Sequence, residues 1–536
     1  MNPRFLSLPV LAGAFLLSGC GTLQKSGDAE EAADRSKPGP MATQMLLEPP
    51  LASDVVEPSP AEPAGGSGDL WARMREGFAM ELDRDNPRIR SQRDWYARNQ
   101  AYLDRVAERG KRYLHHIVEE AEKRDMPLEL ALLPVVESAF DPFAYSHGRA
   151  AGTWQFIQST GEHFGMTQDF WHDGRRDILQ STDAALTYLQ QLANRFDGDW
   201  KLALASYNAG AGTVSRAIRR NSRAGQATDY WSLRLPRETM AYVPKLIGLA
   251  QIIREPEAYD ISLKPIADEP YFDVVEMDYQ IDMAEAAELS GVSVEELYML
   301  NPHINRWATP PGGPHRLLVP VDQAEPFREK LAEVPARERM RWEEYTIRSG
   351  DTLGAIARRY NTTAEMIRET NDLRGNTIVA GRTLLLPSPS GKSGDYSLSA
   401  DERLAAQQNR SRSGRQQIRH RVQPGETLWE LGRKYGVGVR ELASTNNMAP
   451  GDTLRVGQEI AVWTDRADIG QGTIEGQPDM VRRIRYAVRR GDSLYRIANR
   501  FNVAVNEIIN WNGIDRNGYL HPGDRLELYV DVRDVQ

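Results

Sequence analysis

The 536-residue chain has a single cysteine, Cys20. One thiol excludes an intrachain disulfide, a thiolate zinc site and a Cys-x-x-Cys redox pair. Histidine is sparse too. The nine form no His-Glu-x-x-His pattern, and the adjacent His115 and His116 point to different faces of a helix. A metal enzyme is therefore disfavoured, and neither metal nor cofactor is expected. Basic charge is not in excess: the net charge of −9 argues against a general nucleic-acid binder. The N-terminal apolar run, from Phe5 to Leu17, is too short to span a bilayer. What is present is an ordinary globular balance of 40% hydrophobic and 26% charged residues. The length is too great for one core and implies roughly three to five domains.

The short apolar run follows Arg4 and fits a signal-peptide core. Leu17-Ser18-Gly19-Cys20 resembles a bacterial lipobox, in which small residues admit the peptidase and the cysteine thiol takes a diacylglycerol. Gly21, rather than Asp, implies sorting to an outer membrane. The expectation is a Gram-negative outer-membrane lipoprotein facing the periplasm, anchored through Cys20; the alternative is a secretory signal that happens to contain cysteine. Residues 1–20 are read as the signal and 21–67, rich in Pro, Ala, Glu and Gly, as a disordered tether. A helical domain is expected over 68–260. Leu114, Ile117, Val118 and Ala121 form one apolar stripe, and Ala185, Tyr188, Leu189, Leu192 and Phe196 another.

The C-terminal half repeats itself. "YTIRSGDTLGAIARRYNTTAEMIRETN", "HRVQPGETLWELGRKYGVGVRELASTN" and "YAVRRGDSLYRIANRFNVAVNEIINWN" each hold a Gly 21 residues before an Asn: Gly350 to Asn371, Gly425 to Asn446, Gly491 to Asn512. A short strand leads to the Gly turn, Asp/Glu and Thr/Ser start a helix, a second helix follows, and a later Gly precedes a closing strand. These βααβ units resemble LysM modules, which bind N-acetylglucosamine-containing glycans. The resemblance implies sugar contacts at Asp351, Thr352, Glu426, Thr427, Asp492 and Ser493, and near Asn371, Asn446 and Asn512. The alternative is that these are helix caps and turn residues. The modules are expected at 343–388, 418–464 and 484–531, with linkers at 389–417 and 465–483 that let them move independently. "IDMAEAAELSGVSVEELYMLN" aligns without gaps as a degenerate copy at 268–322. There the Gly-Asp-Thr turn is replaced by Gln280-Ile281-Asp282, so fold is kept and sugar binding lost.

Within the helical domain, "ALLPVVESAF" (131–140) sets Glu137 in an apolar run. An apolar pocket disfavours the anion and so keeps a carboxyl protonated, as an acid for glycoside cleavage must be. Pro134 is expected to interrupt a helix shortly before it. Glu137-Ser138, Gly152-Thr153-Trp154-Gln155, Tyr207-Asn208-Ala209-Gly210 and the late Tyr242 are, in order, similar to the signature of the lysozyme-like soluble lytic transglycosylases. The departure is Thr-Trp where many members have Leu-Met before the Gln. The resemblance implies a multidomain α+β chain, with an all-α lysozyme-like catalytic domain followed by small βααβ LysM modules. It also implies that Glu137 protonates the leaving oxygen of peptidoglycan and then takes the proton from the muramic acid C6 hydroxyl, giving a 1,6-anhydro ring without water. By motif position, Ser138 would bond glycan or orient Glu137, and Gln155 would contact an N-acetyl group or position the acid. Tyr207 would hold Glu137, Asn208 would bind substrate and Tyr242 would line the cleft. Asp141, before Pro142, reads as a turn residue rather than a second catalytic acid. The alternatives are a hydrolytic muramidase and a non-catalytic peptidoglycan-binding lipoprotein. Partners are peptidoglycan strands and, through the anchor, a membrane; nucleic acid is not expected, and the chain is expected to be a monomer.

Overall fold

The computed structural model describes residues 68–146 and 148–465, and between 481 and 531 all but 490–491, 502, 504, 513, 515–519 and 522. The expected signal segment, Cys20, the tether and most of the second linker lie outside the described residues.

The first part is helical: α1 (Leu70–Glu76), α2 (Pro87–Ala97), α3 (Gln100–Gly110), α4 (Leu114–Glu122), α5 (Leu133–Ser138), α6 (Gln158–His163), α7 (Ile178–Arg195), α8 (Trp200–Ala209), α9 (Ala211–Arg223) and α10 (Arg237–Arg254). Short polar residues start them. Asp199 accepts from Lys201 N at 2.8 Å and Leu202 N at 3.0 Å at the head of α8, and Asp177 from Gln180 N at 3.0 Å at the head of α7. Each such cap contributes about 1 kcal/mol. The expected stripes face inward: Leu114, Ile117, Val118 and Ala121 on α4, and Ala185, Tyr188, Leu189 and Leu192 on α7, are buried, while Phe196 is partly covered. Pro134 does not interrupt a helix. It lies in the first turn of α5, where its missing N–H costs nothing, after a 3-10 turn at Leu128–Leu132. Helix α10 packs on α2, α8 and α5, so one long buried helix backs the short one that carries Glu137.

Four two-stranded βααβ units follow. Strand β1 (Phe272–Glu276) pairs antiparallel with β2 (Arg316–Pro320) around α11 (Met283–Ser290) and α12 (Val294–Leu300), and α13 (Val321–Glu333) extends this unit. Strands β3 (Arg341–Thr346) and β4 (Thr383–Ser388) enclose α14 (Leu353–Arg359) and α15 (Ala364–Thr370). After α16 (Ala400–Asn409), β5 (Gln416–Arg421) and β6 (Glu459–Thr464) enclose α17 (Leu428–Tyr435) and α18 (Val439–Thr445). Finally β7 (Val481–Ala487) and β8 (Arg525–Asp531) enclose α19 (Leu494–Phe501) and α20 (Val505–Asn512). Each unit has its own small core, such as Val422, Leu428, Leu431, Leu442, Ile460 and Val462 in the third.

Two features depart from the sequence reading. The segment 389–417 is not a free linker. It folds into α16 and docks at a few points: Tyr396 donates to both carboxylate oxygens of Asp282 (2.8 and 3.1 Å), Arg403 lies 4.0 Å over the Phe143 ring, and Trp463 Nε1 donates to Gln408 O at 2.7 Å. Such anchoring uses isolated side chains rather than a periodic stripe, so the segment looks aperiodic. The degenerate copy, in turn, is fused to the helical domain. Arg112 forms a two-pronged pair with Glu296 (2.8 and 2.6 Å), Arg316 Nη2 donates to both carboxylate oxygens of Asp177 (3.0 and 2.9 Å), and Tyr113 donates to Met299 O at 2.7 Å. Leu300 and Leu318 belong to the helical core itself.

Candidate active site

Glu137 is 1% exposed, one residue from the end of α5. The chain leaves that helix through two consecutive left-handed residues, Ala139 (φ 51°) and Phe140 (φ 55°). Such conformations cost about 1–3 kcal/mol each outside glycine and persist only where the surroundings fix them. Phe140 is fully buried, and Tyr102 donates to Val135 O at 3.1 Å, so α5 is held from both sides.

The phenol of Tyr242, on α10, donates to Glu137 Oε1. Burial, then the charge of Glu137, hold that phenol well above its ordinary range, so it keeps its proton and remains a donor. The sequence reading gave this duty to Tyr207. The Tyr207 hydroxyl instead donates to Trp154 O at 3.1 Å. Both tyrosines are buried beside the acid, and the relative set of α8 and α10 decides which hydroxyl reaches it.

The Gly-Thr-Trp-Gln loop closes one side. Gly152 has φ 80°, and a Cβ there would come within 2.3 Å of Arg175 O. Gln155, also left-handed (φ 53°), is 0% exposed; its Nε2 donates to Gly152 O at 2.8 Å and Ala144 O at 3.3 Å. Its Oε1 meets no donor among the described residues. Ser138 Oγ bonds Thr153 O (2.9 Å) and Pro134 O (3.2 Å), tying this loop to α5. On the opposite side Asn208 Oδ1 accepts from Thr239 Oγ1 at 2.6 Å, and its amide bonds Glu238.

Glu238, Tyr242 and Lys245 fall at i, i+4 and i+7 on α10, one face of that helix. The sequence reading took only Tyr242. Glu238 reaches solvent on one side while its neighbours desolvate the other, which pushes its carboxyl up. Burial pulls the half-buried Lys245 amine down, against the opposing charges of Glu238 and Glu137. A polar i, i+4, i+7 set on an otherwise apolar helix was the signal available for both. Asp141 accepts from Phe143 N at 2.9 Å, closing a turn as expected. Among the described residues no group of three or more His, Cys, Asp or Glu could hold a metal.

In the modules the expected sugar-contacting side chains all make internal bonds. Asp351 accepts from Tyr345 OH (2.6 Å) and Arg348 N (2.8 Å), and Asp492 likewise from Tyr486 OH (2.6 Å) and Arg489 N (2.8 Å). Glu426 bonds His420 Nε2 (2.6 Å) and Gln423 N (2.7 Å). Thr352, Thr427 and Ser493 accept from Ala355 N, Glu430 N and Arg496 N at 3.2 Å, as helix caps. Asn371, Asn446 and Asn512 each tie the second helix to the closing strand: Asn446 Nδ2 donates to Leu442 O and Ala461 O, and its Oδ1 accepts from Ala461 N, all at 2.8 Å. Asn301, in the degenerate copy, does the same with Leu297 and Leu318. These asparagines are struts, with both donors and the acceptor used within the module.

A buried carboxyl held by a phenol, in a helical domain followed by βααβ repeats, has matches among known families. The Transglycosylase SLT domain model matches residues 116–229; the "Lytic transglycosylase MltD, LysM-like domain" model matches 271–336; the LysM domain model matches 345–387, 420–463 and 486–528. Fold and site thus define a lytic transglycosylase with LysM modules. Over 466 residues the chain is 35% identical to membrane-bound lytic murein transglycosylase D of Escherichia coli (strain K12), covering 83% of this chain and 96% of that protein. The chain belongs to that family. It is also 31% identical over 173 residues to an autolysin of Enterococcus faecalis, covering 32% of this chain and 22% of that one. A solved structure of an inactive mutant of the lytic transglycosylase Slt from Pseudomonas aeruginosa is 26% identical, covering 28% of this chain and 25% of that one. Its TM-score of 0.22 supports no statement about fold.

Proposed function

We propose that Glu137 is the acid and then the base of a non-hydrolytic cleavage of the MurNAc–GlcNAc β-1,4 bond in peptidoglycan, leaving a 1,6-anhydro-MurNAc end. The carrying observation is the Tyr242 hydroxyl on Glu137 Oε1. With one oxygen fixed by a buried donor, the other can hold the proton for the glycosidic oxygen. As that proton leaves, the phenol stabilises the carboxylate, which then takes the C6 hydroxyl proton as O6 attacks C1. No water enters, and one side chain serves both transfers. Gln155 and Asn208 bind the sugars; Ser138 and Tyr207 hold the Gly-Thr-Trp-Gln loop in register with the acid. The LysM modules keep the enzyme at its polymer by raising its local concentration. Their turn-forming Asp351, Glu426 and Asp492 and caps Thr352, Thr427 and Ser493 shape the groove, whose sugar contacts then fall to neighbouring backbone.

Glu137→Gln tests this reading. Loss of anhydro-product release by about 10³-fold or more, with sacculus binding retained, is expected; undiminished cleavage would refute the assignment. Mass spectrometry of the wild-type digest separates the routes, because anhydro ends are lighter than reducing ends by one water. A second reading, hydrolysis, draws on Glu238, the further carboxylate on the face of α10 that carries Tyr242. Reducing ends lost on Glu238→Gln would favour it.

The same proposal extends to location. The Leu17–Cys20 lipobox and the membrane-bound character of the E. coli relative support a lipoprotein attached through Cys20 to the outer membrane and facing the periplasm, which we read as a monomer. Palmitate labelling abolished by Cys20→Ala is the expected result.

A further inference from the structure

The helical domain carries a charged feature that this chemistry leaves unused. Arg216, Arg219, Arg220 and Arg223 fall at i, i+3, i+4 and i+7 of α9, along one face, and all four are exposed. Among the described residues none of them is paired with a carboxylate. Arg216 donates to Thr213 Oγ1 at 3.1 Å and Arg220 to Arg234 O at 3.0 Å. Several other arginines of the domain are matched: Arg73 with Glu122 and Asp268, Arg112 with Glu296, Arg124 with Asp183, Arg254 with Asp83.

Folding needs explain only part of this face. Arg220 and Arg223, in the last turn, complement the helix dipole; Arg216 and Arg219 do not, and like charges at this spacing repel. The face also lies close to Asn208. Helix α9 begins three residues after Asn208. The Arg220 bond leads to Arg234 and then to Arg237, both exposed, next to Glu238 and Thr239, which bond Asn208.

We propose that this arginine face is a subsite for the carboxylate-bearing peptide side chains of the polymer, engaged while the glycan strand lies in the cleft. The proposal rests on the peptidoglycan-cleaving reading above. Guanidinium matches carboxylate two-pronged, and at 1.5 Å rise per residue the first and last arginines are roughly 10 Å apart along the helix, enough to meet more than one carboxylate. On a chain of net charge −9 such a patch also orients the approach of a polyanion.

The test compares the full chain with R216Q/R219Q/R220Q/R223Q and with the corresponding fourfold lysine variant. Initial rates are read on intact sacculi and on glycan strands stripped of peptide by an amidase. On intact sacculi at low salt the glutamine variant is expected to raise KM roughly ten-fold with kcat unchanged. Added salt should raise the wild-type KM toward the variant's, and lysine should restore most of the difference. On stripped strands all three enzymes should match, which also shows that the variants fold. Equal KM on intact sacculi, or equal losses on both polymers, overturns the subsite. So does a variant that differs from wild type only in binding vesicles of anionic phospholipid, since that assigns the face to a lipid surface. A wild-type chain that cleaves neither polymer refutes the enzymatic reading itself, and the subsite with it.

Discussion

Replacing Tyr242 by phenylalanine removes one oxygen from the molecule, the hydroxyl that donates to Glu137 Oε1. The ring stays, so the buried side chains of α10, Val243 and Leu246 among them, lose no packing volume. What is lost is a hydrogen bond to a group that is charged in the course of the reaction, worth about 1.5–3 kcal/mol. The loss falls on the step in which Glu137 gives up its proton, because the phenol stabilises the carboxylate more than the acid. Taking about 2 kcal/mol, kcat for anhydro-product release should fall roughly 30-fold, with KM little changed. The phenol is held well above its ordinary range, so it does not titrate in the working range and its removal should delete no limb of the rate profile. Tyr207→Phe is the control. Its hydroxyl serves Trp154 O, a backbone acceptor, and its loss should cost about 1 kcal/mol of stability with a much smaller effect on kcat. Steady-state kinetics on purified strands, with thermal melts of both variants, check the pair. A Tyr242→Phe enzyme within two-fold of wild-type kcat, or one altered only in KM, would refute the assignment of this hydroxyl to the acid.

Gly152→Ala forces a side chain into φ 80° and within 2.3 Å of Arg175 O; it should cost more than about 2 kcal/mol in stability and displace Gln155, read as a lower melting temperature together with lost turnover. Asn446→Ala leaves Ala461 N–H and two carbonyls unpaired in a small core and should cost about 2–4 kcal/mol, so that limited proteolysis opens this module first while the helical domain survives. His303 is buried against Asp177, His172, Arg316 and Asp173, and desolvation lowers its pKa from 6.5 to about 4. Its contribution is complete above pH 6.5 and lost as pH falls toward 4, about 2 kcal/mol by pH 5. His303→Gln should therefore flatten part of the fall in melting temperature between pH 7 and 5, by about 4–8 °C. His115 and His116, also lowered by burial, act in the same direction but remain in the variant.

Much of the architecture was legible because it rests on periodicity. The stripes of α4 and α7 and the repeated Gly-to-Asn spacing are local patterns, and the chain obeys them. Glu137 stood out for a related reason: a carboxylate inside an apolar run has to be explained, and the structure buries it against the Tyr242 hydroxyl. Which tyrosine reaches it was not legible, because two buried phenols on different helices differ only in tertiary placement. The module asparagines have a second role that the resemblance did not imply. The LysM resemblance implied sugar contacts near them, and Asn301 keeps the same place in the copy that lacks the Gly-Asp-Thr turn. A residue that survives loss of the neighbouring loop is answering to the fold, and its three internal bonds say which part of it.

The degenerate copy is held to the rest of the chain on two flanks. In its first turn Asp282 caps α11 through Ala284 N, and its carboxylate also accepts from Ser390 N and Tyr396 OH, so the following segment of the chain covers this loop. The opposite flank grips the helical domain through Arg316 on Asp177. Asp177 caps α7 and directly follows Arg176 and Arg175. Arg175 pairs with Asp173 and donates to Arg149 O (2.7 Å) and Phe156 O (3.4 Å), on either side of the Gly-Thr-Trp-Gln loop. Two sets of charge-assisted bonds, joined through the backbone at Arg176-Asp177, thus link this βααβ unit to the loop that carries Gln155. Ion pairs this deeply buried add little net stability against apolar packing, but breaking one partner leaves the other charge stranded, so they enforce one geometry. Where the other copies carry a Gly-Asp/Glu-Thr/Ser turn, this one carries Asp282 bonded to the next segment, and its other flank braces the helical domain.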